Sequence, residues 1–312
     1  MTTFGAQHLE AVARRAAEAR LHALRVLHHG KPVLEFGDQA GPVVVHSIRK
    51  SLLSALFGQI IARGVVALDD RIGDFGIDDT PALTGREKSA TIRNLLEARS
   101  GVYLPLTVPR PGFADEFGTR PARGAHPPGT FWHYNNWDFN VLGGIYERAT
   151  GKSVFLALDR ELAQPLGLRD WDPYRDAEYE HKNDFFGGNT RYPNYRLRLS
   201  ARDLAEFGRL YLRGGEWGGT QLVPAGWVTA GTTAISRTGL SGTQARYGYL
   251  WWVSEPGPSL PKSYSALGLG GQFLTVLPEH SLVVAGLVDT SAPGLKPLAR
   301  TEMEEILSLL AR

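Results

Sequence analysis

Apolar and polar positions recur with two different periods along this chain. In AQHLEAVARRAAEAR, residues 6–20, apolar side chains return every three or four positions, which predicts an amphipathic helix. LHALRVLHHGKPVLEFGD then alternates, as two strands joined at Gly30 and Lys31 would. Val43 to Val45 form a short third strand that runs directly into SIRKSLLSALFGQII. From Ser47 on, Leu52, Leu53, Leu56, Phe57, Ile60 and Ile61 fall at helical spacing, and Gly64 is placed to end the helix. From Ala67 to Ala201 the pattern changes to helices, loops and scattered aromatic residues. TVPRPGFADEFGTRPARGAHPPGTF reads as one long structured loop, and long ordered loops in compact proteins are usually functional. SARDLAEFGRLYLRGG is a further amphipathic helix. Strand signals return at YGYLWWV, SYSALGLG, QFLTVLP and SLVVAGLVD, and residues 294–311 make a final helix.

Strands at both ends with helices between predict an α/β (α+β) fold. One sheet is built from both chain termini and flanked by helices, and an all-helical insertion interrupts it. The sheet region is expected over 1–66 and 202–312, and the insertion over 67–201. A cleft where the two meet is the natural place for a small-molecule site. Composition narrows the chemistry further. With 312 residues, 43% hydrophobic and 21% charged, the chain can bury a substantial core. Its formal net charge is +2 with both signs interspersed, and no basic stripe or nucleic-acid motif stands out, so no nucleic-acid partner is expected. The absence of cysteine excludes disulfides, thiolate metal sites and a cysteine nucleophile. The nine histidines show no ligand spacing, so neither a metal nor another cofactor is expected. Arg49 and Lys50 interrupt the longest apolar stretch, and the first twenty residues lack a secretory layout. A cytoplasmic protein without membrane contact is therefore expected.

Lys50 is the anomaly of the pattern. The chain has seven lysines against twenty-seven arginines, and one of the seven sits inside its most apolar helix. Such a lysine must lose its proton, find a partner, or destabilise the fold. Ser47 stands three residues earlier, and at i and i+3 an amine can hydrogen-bond a hydroxyl. The pair can supply a nucleophile and a group that removes its proton, while a free backbone N–H at the helix start can face an oxyanion. PGTFWHYNNWDFNVLG offers Tyr134, a phenol able to share a proton with the lysine, and Asn136, whose amide can hold Lys50 and a substrate carbonyl. SALGLGGQFLTVLPEH places Gly268, Gly270 and Gly271 between two strand-like runs. That run either needs glycine for a hairpin turn or admits a ligand close to the backbone, with Gln272 giving a second oxyanion N–H.

Each motif has a competitor within the chain. Ser259 and Lys262 repeat S-x-x-K, but Gly257 and Pro261 argue against a helix there. Tyr192-Pro193-Asn194 repeats the Y-x-N spacing in a more polar setting. The α/β-hydrolase elbow G-x-S-x-G is absent, and His46 and His133 read as packing or rim residues. Tyr103, Trp132, Trp137, Trp251 and Trp252 are candidates for an apolar acyl pocket, although aromatic residues more often build cores.

Taken in order, HSIRKSLLSALFGQIIARGVVALDDRIGDF, PGTFWHYNNWDFNVLG and GLGGQFLTVLP resemble the serine β-lactamase and penicillin-binding-protein superfamily. The likeness runs from Leu21 to Val288. It is nearest to the class C β-lactamase-related branch of esterases and 6-aminohexanoate-oligomer hydrolases. The resemblance implies a β-lactamase-like fold with an antiparallel sheet and hydrolysis of small ester or amide substrates through an acyl-enzyme. It also implies Ser47 as nucleophile, Lys50 and Tyr134 as the proton-handling pair, Asn136 as anchor, and an oxyanion site at Gly270, Gly271 and Gln272. The third motif departs from the lactamase pattern, because Leu269 stands where Lys or His is usual and offers no charge to a substrate carboxylate. The alternatives are a β-lactamase or D,D-carboxypeptidase, and an inactive penicillin-binding-like binding module.

Overall fold

The computed structural model describes residues 4–104, 120–180, 190–257, 260–292, 294 and 296–311. The first part of the loop expected over 107–131 lies outside them up to residue 119, and so does Ser259.

The helix expected at the start is α1 (Ala6–Glu18). It leads into a hairpin of β1 (Ala23–His28) and β2 (Lys31–Gly37). β3 (Val43–Val44) follows, and a single 3-10 turn over His46–Ile48 feeds α2 (Arg49–Ala62). Ser47 therefore stands in the tight turn ahead of the α-helix rather than within it. Gly64, with φ of 69°, ends α2 as expected. Its N–H reaches Ile61 O and the Val65 N–H reaches Ile60 O, the two bonds of a Schellman stop. Nearly every face of α2 is buried, from Arg49 to Ile60, so it is an internal strut rather than an amphipathic cover.

The middle of the chain carries α3 (Gly85–Lys88), α4 (Ile92–Leu96), α5 (Asn136–Thr150), α6 (Val154–Leu158) and α7 (Gln164–Leu166). It is not all-helical. β4 (Ala177–Tyr179) and β5 (Tyr195–Leu199) pair with β3 in a three-stranded antiparallel sheet of order β3-β5-β4. The cause is visible in YRLRL: Tyr195, Leu197 and Leu199 are buried while Arg196 and Arg198 alternate outward. Val43 and Val44 are strand residues as expected, but this small sheet is the one they join.

Beyond it come α8 (Ala201–Leu212), the ribbon β6 (Glu216–Trp217) and β7 (Thr220–Gln221), and α9 (Ala225–Gly231). The last strands are β8 (Ser236–Arg237), β9 (Arg246–Tyr247), β10 (Trp252–Val253), β11 (Tyr264–Gly268), β12 (Gln272–Leu277) and β13 (Leu282–Leu287), before α10 (Arg300–Leu310). The main sheet has the order β2-β1-β13-β12-β11-β10-β9-β8, antiparallel throughout and drawn from both ends of the chain.

Its central strands bury both faces, which is why they read as unbroken apolar runs. Leu24, Val26, Phe273, Leu277, Leu282 and Val284 face a cluster shared with Val12 of α1 and Met303, Ile306 and Leu307 of α10. Leu27, Leu274, Val276, Val283 and Ala285 face the larger core around α2 and α8. α8 lies close on the sheet because Gly208 has no side chain: a Cβ there would stand 2.5 Å from Val283 Cγ1 and 2.7 Å from Leu274 Cδ1. Ser200 caps α8 by accepting the Asp203 N–H at 3.1 Å.

Candidate active site

α2 brings its first turn to the junction of the main sheet and the helical middle. Lys50, only 2% exposed, donates from Nζ to Ser47 Oγ at 2.5 Å and to Tyr134 OH at 2.8 Å. Ser47 lies in the 3-10 turn and Lys50 in the first turn of α2, and a spacing of three puts both side chains on one face. Tyr134 comes from a segment fastened on both sides. The His133 N–H bonds Ala98 O at 2.9 Å, and Asn135 Nδ2 bonds Val102 O at 2.6 Å. Asn135 also caps α5 and donates to Asp138 Oδ1, which accepts the Ser100 hydroxyl at 2.6 Å as well. Burial pushes the Asp138 carboxyl well above its usual range, with the bonds from Ser100 and Asn135 pulling the other way.

The phenol ring is held as firmly as its backbone. It stacks on Trp252 with centroids 5.2 Å apart, meets the edge of Tyr247 at 6.1 Å, and tilts on Phe139 at 4.9 Å. The Lys50 ammonium lies 4.9 Å from the Phe139 centroid. The sequence order hides this aromatic surround, because Tyr247 and Trp252 lie more than a hundred residues beyond Tyr134 and Phe139.

Opposite Ser47 lies the turn between β11 and β12. Gly270 and Gly271 take φ of 83° and 96°, values that L side chains rarely adopt. Gly268 serves a different end, since a Cβ on it would stand 2.4 Å from Val45 O. The hairpin explanation of the glycines thus holds, and the close approach at Gly268 is made by the chain's own backbone. Gln272 opens β12, and its side chain is fixed by Nε2 to Val288 O at 2.6 Å and by the Val288 N–H to Oε1 at 2.9 Å.

Between these walls is a cleft of about 780 Å³. His46, Ser47, Tyr134 and Trp252 line it, together with Leu267 through Gln272. Leu298, Arg300 and Met303 close its far end. Ser47, Lys50, Tyr134, Gly270, Gly271 and Gln272 are therefore gathered at one place. Asn136 is not: it is the first residue of α5, it does not line the cleft, and among the described residues it makes no hydrogen bond to Lys50. Of the five aromatic candidates Trp252 lines the cleft. Trp137 and Trp251 are core, Trp132 packs behind Trp252 at 6.0 Å, and Tyr103 OH pairs with His126 Nδ1 at 3.0 Å. His46 pairs with Thr290 Oγ1 at 3.1 Å.

Arg49 read in the sequence only as a break in the apolar stretch, with no partner assigned to it. It is 2% exposed, donates from Nη2 to Asn140 Oδ1 at 2.7 Å and to Asn194 Oδ1, and lies 4.1 Å over the Tyr195 ring. Asn194 belongs to the second Y-x-N match, which therefore fastens the residue beside Lys50. Its signal was an arginine in an apolar run, which demands neutral acceptors or a counter-charge as strictly as a lysine does.

This architecture has known relatives. A stretch of 143 residues, 40% of the chain, is 32% identical to esterase EstB of Burkholderia gladioli and covers 36% of it. Another of 183 residues, 56% of the chain, is 30% identical to the 6-aminohexanoate-dimer hydrolase of Paenarthrobacter ureafaciens and covers 43% of it. The match thus spans less than half the length of either curated relative. The octameric penicillin-binding protein homologue from Pyrococcus abyssi superposes with a TM-score of 0.71 over 98% of this chain and 77% of that one, at 19% identity. That places the fold. The profile named Beta-lactamase matches residues 12–307, the span that holds the Ser47 turn, the Tyr134 segment and the glycine hairpin alike, and the chain belongs to the β-lactamase family.

Proposed function

We propose that the protein is a serine hydrolase that opens small ester or amide bonds through an acyl-enzyme on Ser47. The observation that carries this reading is the position of Lys50 Nζ, 2.5 Å from Ser47 Oγ and 2.8 Å from Tyr134 OH. A single amine touching both hydroxyls lets the pair of Lys50 and Tyr134 accept the serine proton as Oγ attacks a carbonyl. Tyr134 then returns a proton to the departing alcohol or amine, and the same pair activates water for deacylation. The backbone N–H groups of Ser47 and Gln272 are the donors assigned to the developing oxyanion. No step in this scheme needs Asn136.

The cleft supports the choice of substrate. Trp252, Leu267, Leu269, Leu298 and Met303 give it an apolar lining suited to a short acyl group. Leu269 offers no charge or hydroxyl to a carboxylate, which favours an ester or amide over a β-lactam or a D-alanyl-D-alanine peptide. The named relatives, an esterase and an amide hydrolase, agree with that choice. A cytoplasmic site of action belongs to the same proposal, and cell fractionation checks it; no helix among the described residues is long and apolar enough to cross a membrane.

The test is a p-nitrophenyl ester series run beside nitrocefin and a short amide oligomer, with a fluorophosphonate label located by peptide mapping. Label on Ser47 with turnover of an ester or the amide is the expected result. Label elsewhere, or a folded protein inert to every substrate and to the label, would make the chain a binding module.

A further inference from the structure

We infer that Thr290 is a positioning residue for acyl transfer, bracing His46, the residue before the nucleophile, against Gly270 so that the gap between Ser47 and Gln272 keeps one width. The inference rests on the function proposed above and concerns what holds its two halves in register. The nucleophile comes from the 3-10 turn, while the second oxyanion donor comes from the β11–β12 hairpin, more than two hundred residues later. Acyl transfer needs the two at a fixed separation, because misplacing a reacting group by about 1 Å can cost on the order of a hundredfold in rate.

Thr290 follows β13 and touches both sides of that gap. Its hydroxyl pairs with His46 Nε2 at 3.1 Å. Its methyl faces the turn: a Cβ on Gly270 would stand 2.5 Å from Thr290 Cγ2. Two residues upstream, Val288 grips the Gln272 side chain through both its backbone N–H and its carbonyl. Val288, Thr290, Gly270 and Gln272 therefore form one wall, and His46 is tied to it by its side chain. Behind them Val45 O presses on Gly268, which sets how near the turn can approach but not where it sits along the strand.

His46 also needs holding. Its φ of 48° is left-handed, a conformation that a non-glycine residue keeps only where its surroundings enforce it. Burial first, and then the nearby charges of Arg196, Lys50 and Arg49, bring its pKa down to about 4. The ring is thus neutral wherever the proposed chemistry would run, and its bond to Thr290 does not change with pH there.

The test compares Thr290→Val, which keeps the methyl and removes the hydroxyl, with Thr290→Ser, which does the reverse. His46→Asn removes the ring while tolerating the left-handed backbone. On the best p-nitrophenyl ester, Thr290→Val and His46→Asn are expected to lose about tenfold or more in kcat with KM within about twofold. Fluorophosphonate labelling of Ser47 should slow in proportion, and Thr290→Ser, which keeps the bond to His46 and loses only the methyl against Gly270, should lose clearly less than Thr290→Val. The brace is overturned if Thr290→Val and His46→Asn keep kcat within about twofold of wild type, or if KM rises while kcat holds. It is equally overturned if Thr290→Ser falls as far as Thr290→Val. A wild type that turns over normally beside unaffected variants removes this inference alone, whereas a wild type never acylated at Ser47 removes the parent reading and the brace together.

Discussion

At the scale of single residues, the Ser47–Lys50–Tyr134 contact concentrates the proposed chemistry in three side chains, and members of such a unit fail together. Ser47→Ala is expected to abolish ester turnover, and Lys50→Ala to lower kcat by roughly a thousandfold or more. Tyr134→Phe should cost about 10²–10⁴-fold, the range for a positioned acid–base group. Steady-state kinetics with thermal melts checks all three, and activity within tenfold of wild type in the serine or lysine variant contradicts the scheme. His46 supplies a pH signature. Its folded pKa is depressed to about 4 while the unfolded chain titrates near the ordinary value, so between these limits the unfolded state binds more protons. The stability this contributes is whole above about pH 6.5 and is lost as pH falls toward 4. Urea midpoints measured from pH 7 to pH 4 should therefore drop more steeply for wild type than for His46→Asn. The contact of Lys50 with Ser47 and Tyr134 was legible because a lysine inside an apolar helix needs polar partners. The expected bond from Asn136 to Lys50 is not among those of the described residues, because motif spacing says nothing about which way a residue at a helix start faces.

Among the elements, the seating of the nucleophile turn on β11 is the contact most sensitive to change. Gly268 meets a backbone carbonyl, Val45 O, which cannot rotate aside as a side-chain tip can. Gly268→Ala is expected to destabilise the protein by about 2–4 kcal/mol, the upper range for a buried steric conflict, and to lower kcat as well. Denaturant unfolding beside ester kinetics checks both; a variant as stable and active as wild type would mean that the turn and the strand move apart freely. The helices were readable from their period, and the central strands from their unbroken apolar runs. β4 and β5 were not, although Tyr195 to Leu199 alternates cleanly, because two short strands inside a helical stretch look like loop until their partner β3 is known. The join is non-local, and alternation alone does not name it.

For the whole molecule, both ends of the chain cover one face of the main sheet. α1 and α10 meet there, with Arg15 Nε bonded to Glu305 at 2.8 Å at the exposed margin and Val12, Met303, Ile306 and Leu307 beneath. Exposed pairs of that kind contribute little, so the apolar layer carries the stability. Removing α10 would take away the buried Met303, Ile306, Leu307 and Leu310, bare the sheet face beneath them and lose roughly 6–12 kcal/mol of burial, about the whole stability of an ordinary domain. A chain stopped at residue 299 is expected to appear as insoluble protein, and a soluble, cooperatively melting fragment would refute that estimate. The sheet drawn from both termini was foreseen from the placement of the strand-like runs. How the small sheet is tied to α2 was not, because Asn194 and Tyr195 meet Arg49 across a long stretch of chain.

That buried guanidinium has a practical consequence. It roots the first turn of α2 in Asn140 and Asn194, two positions of the middle region far apart in sequence. Anyone grafting that region from a homologue to alter selectivity would have to carry both amides across as a matched set. Without them the transplanted piece would strand a cation next door to Lys50.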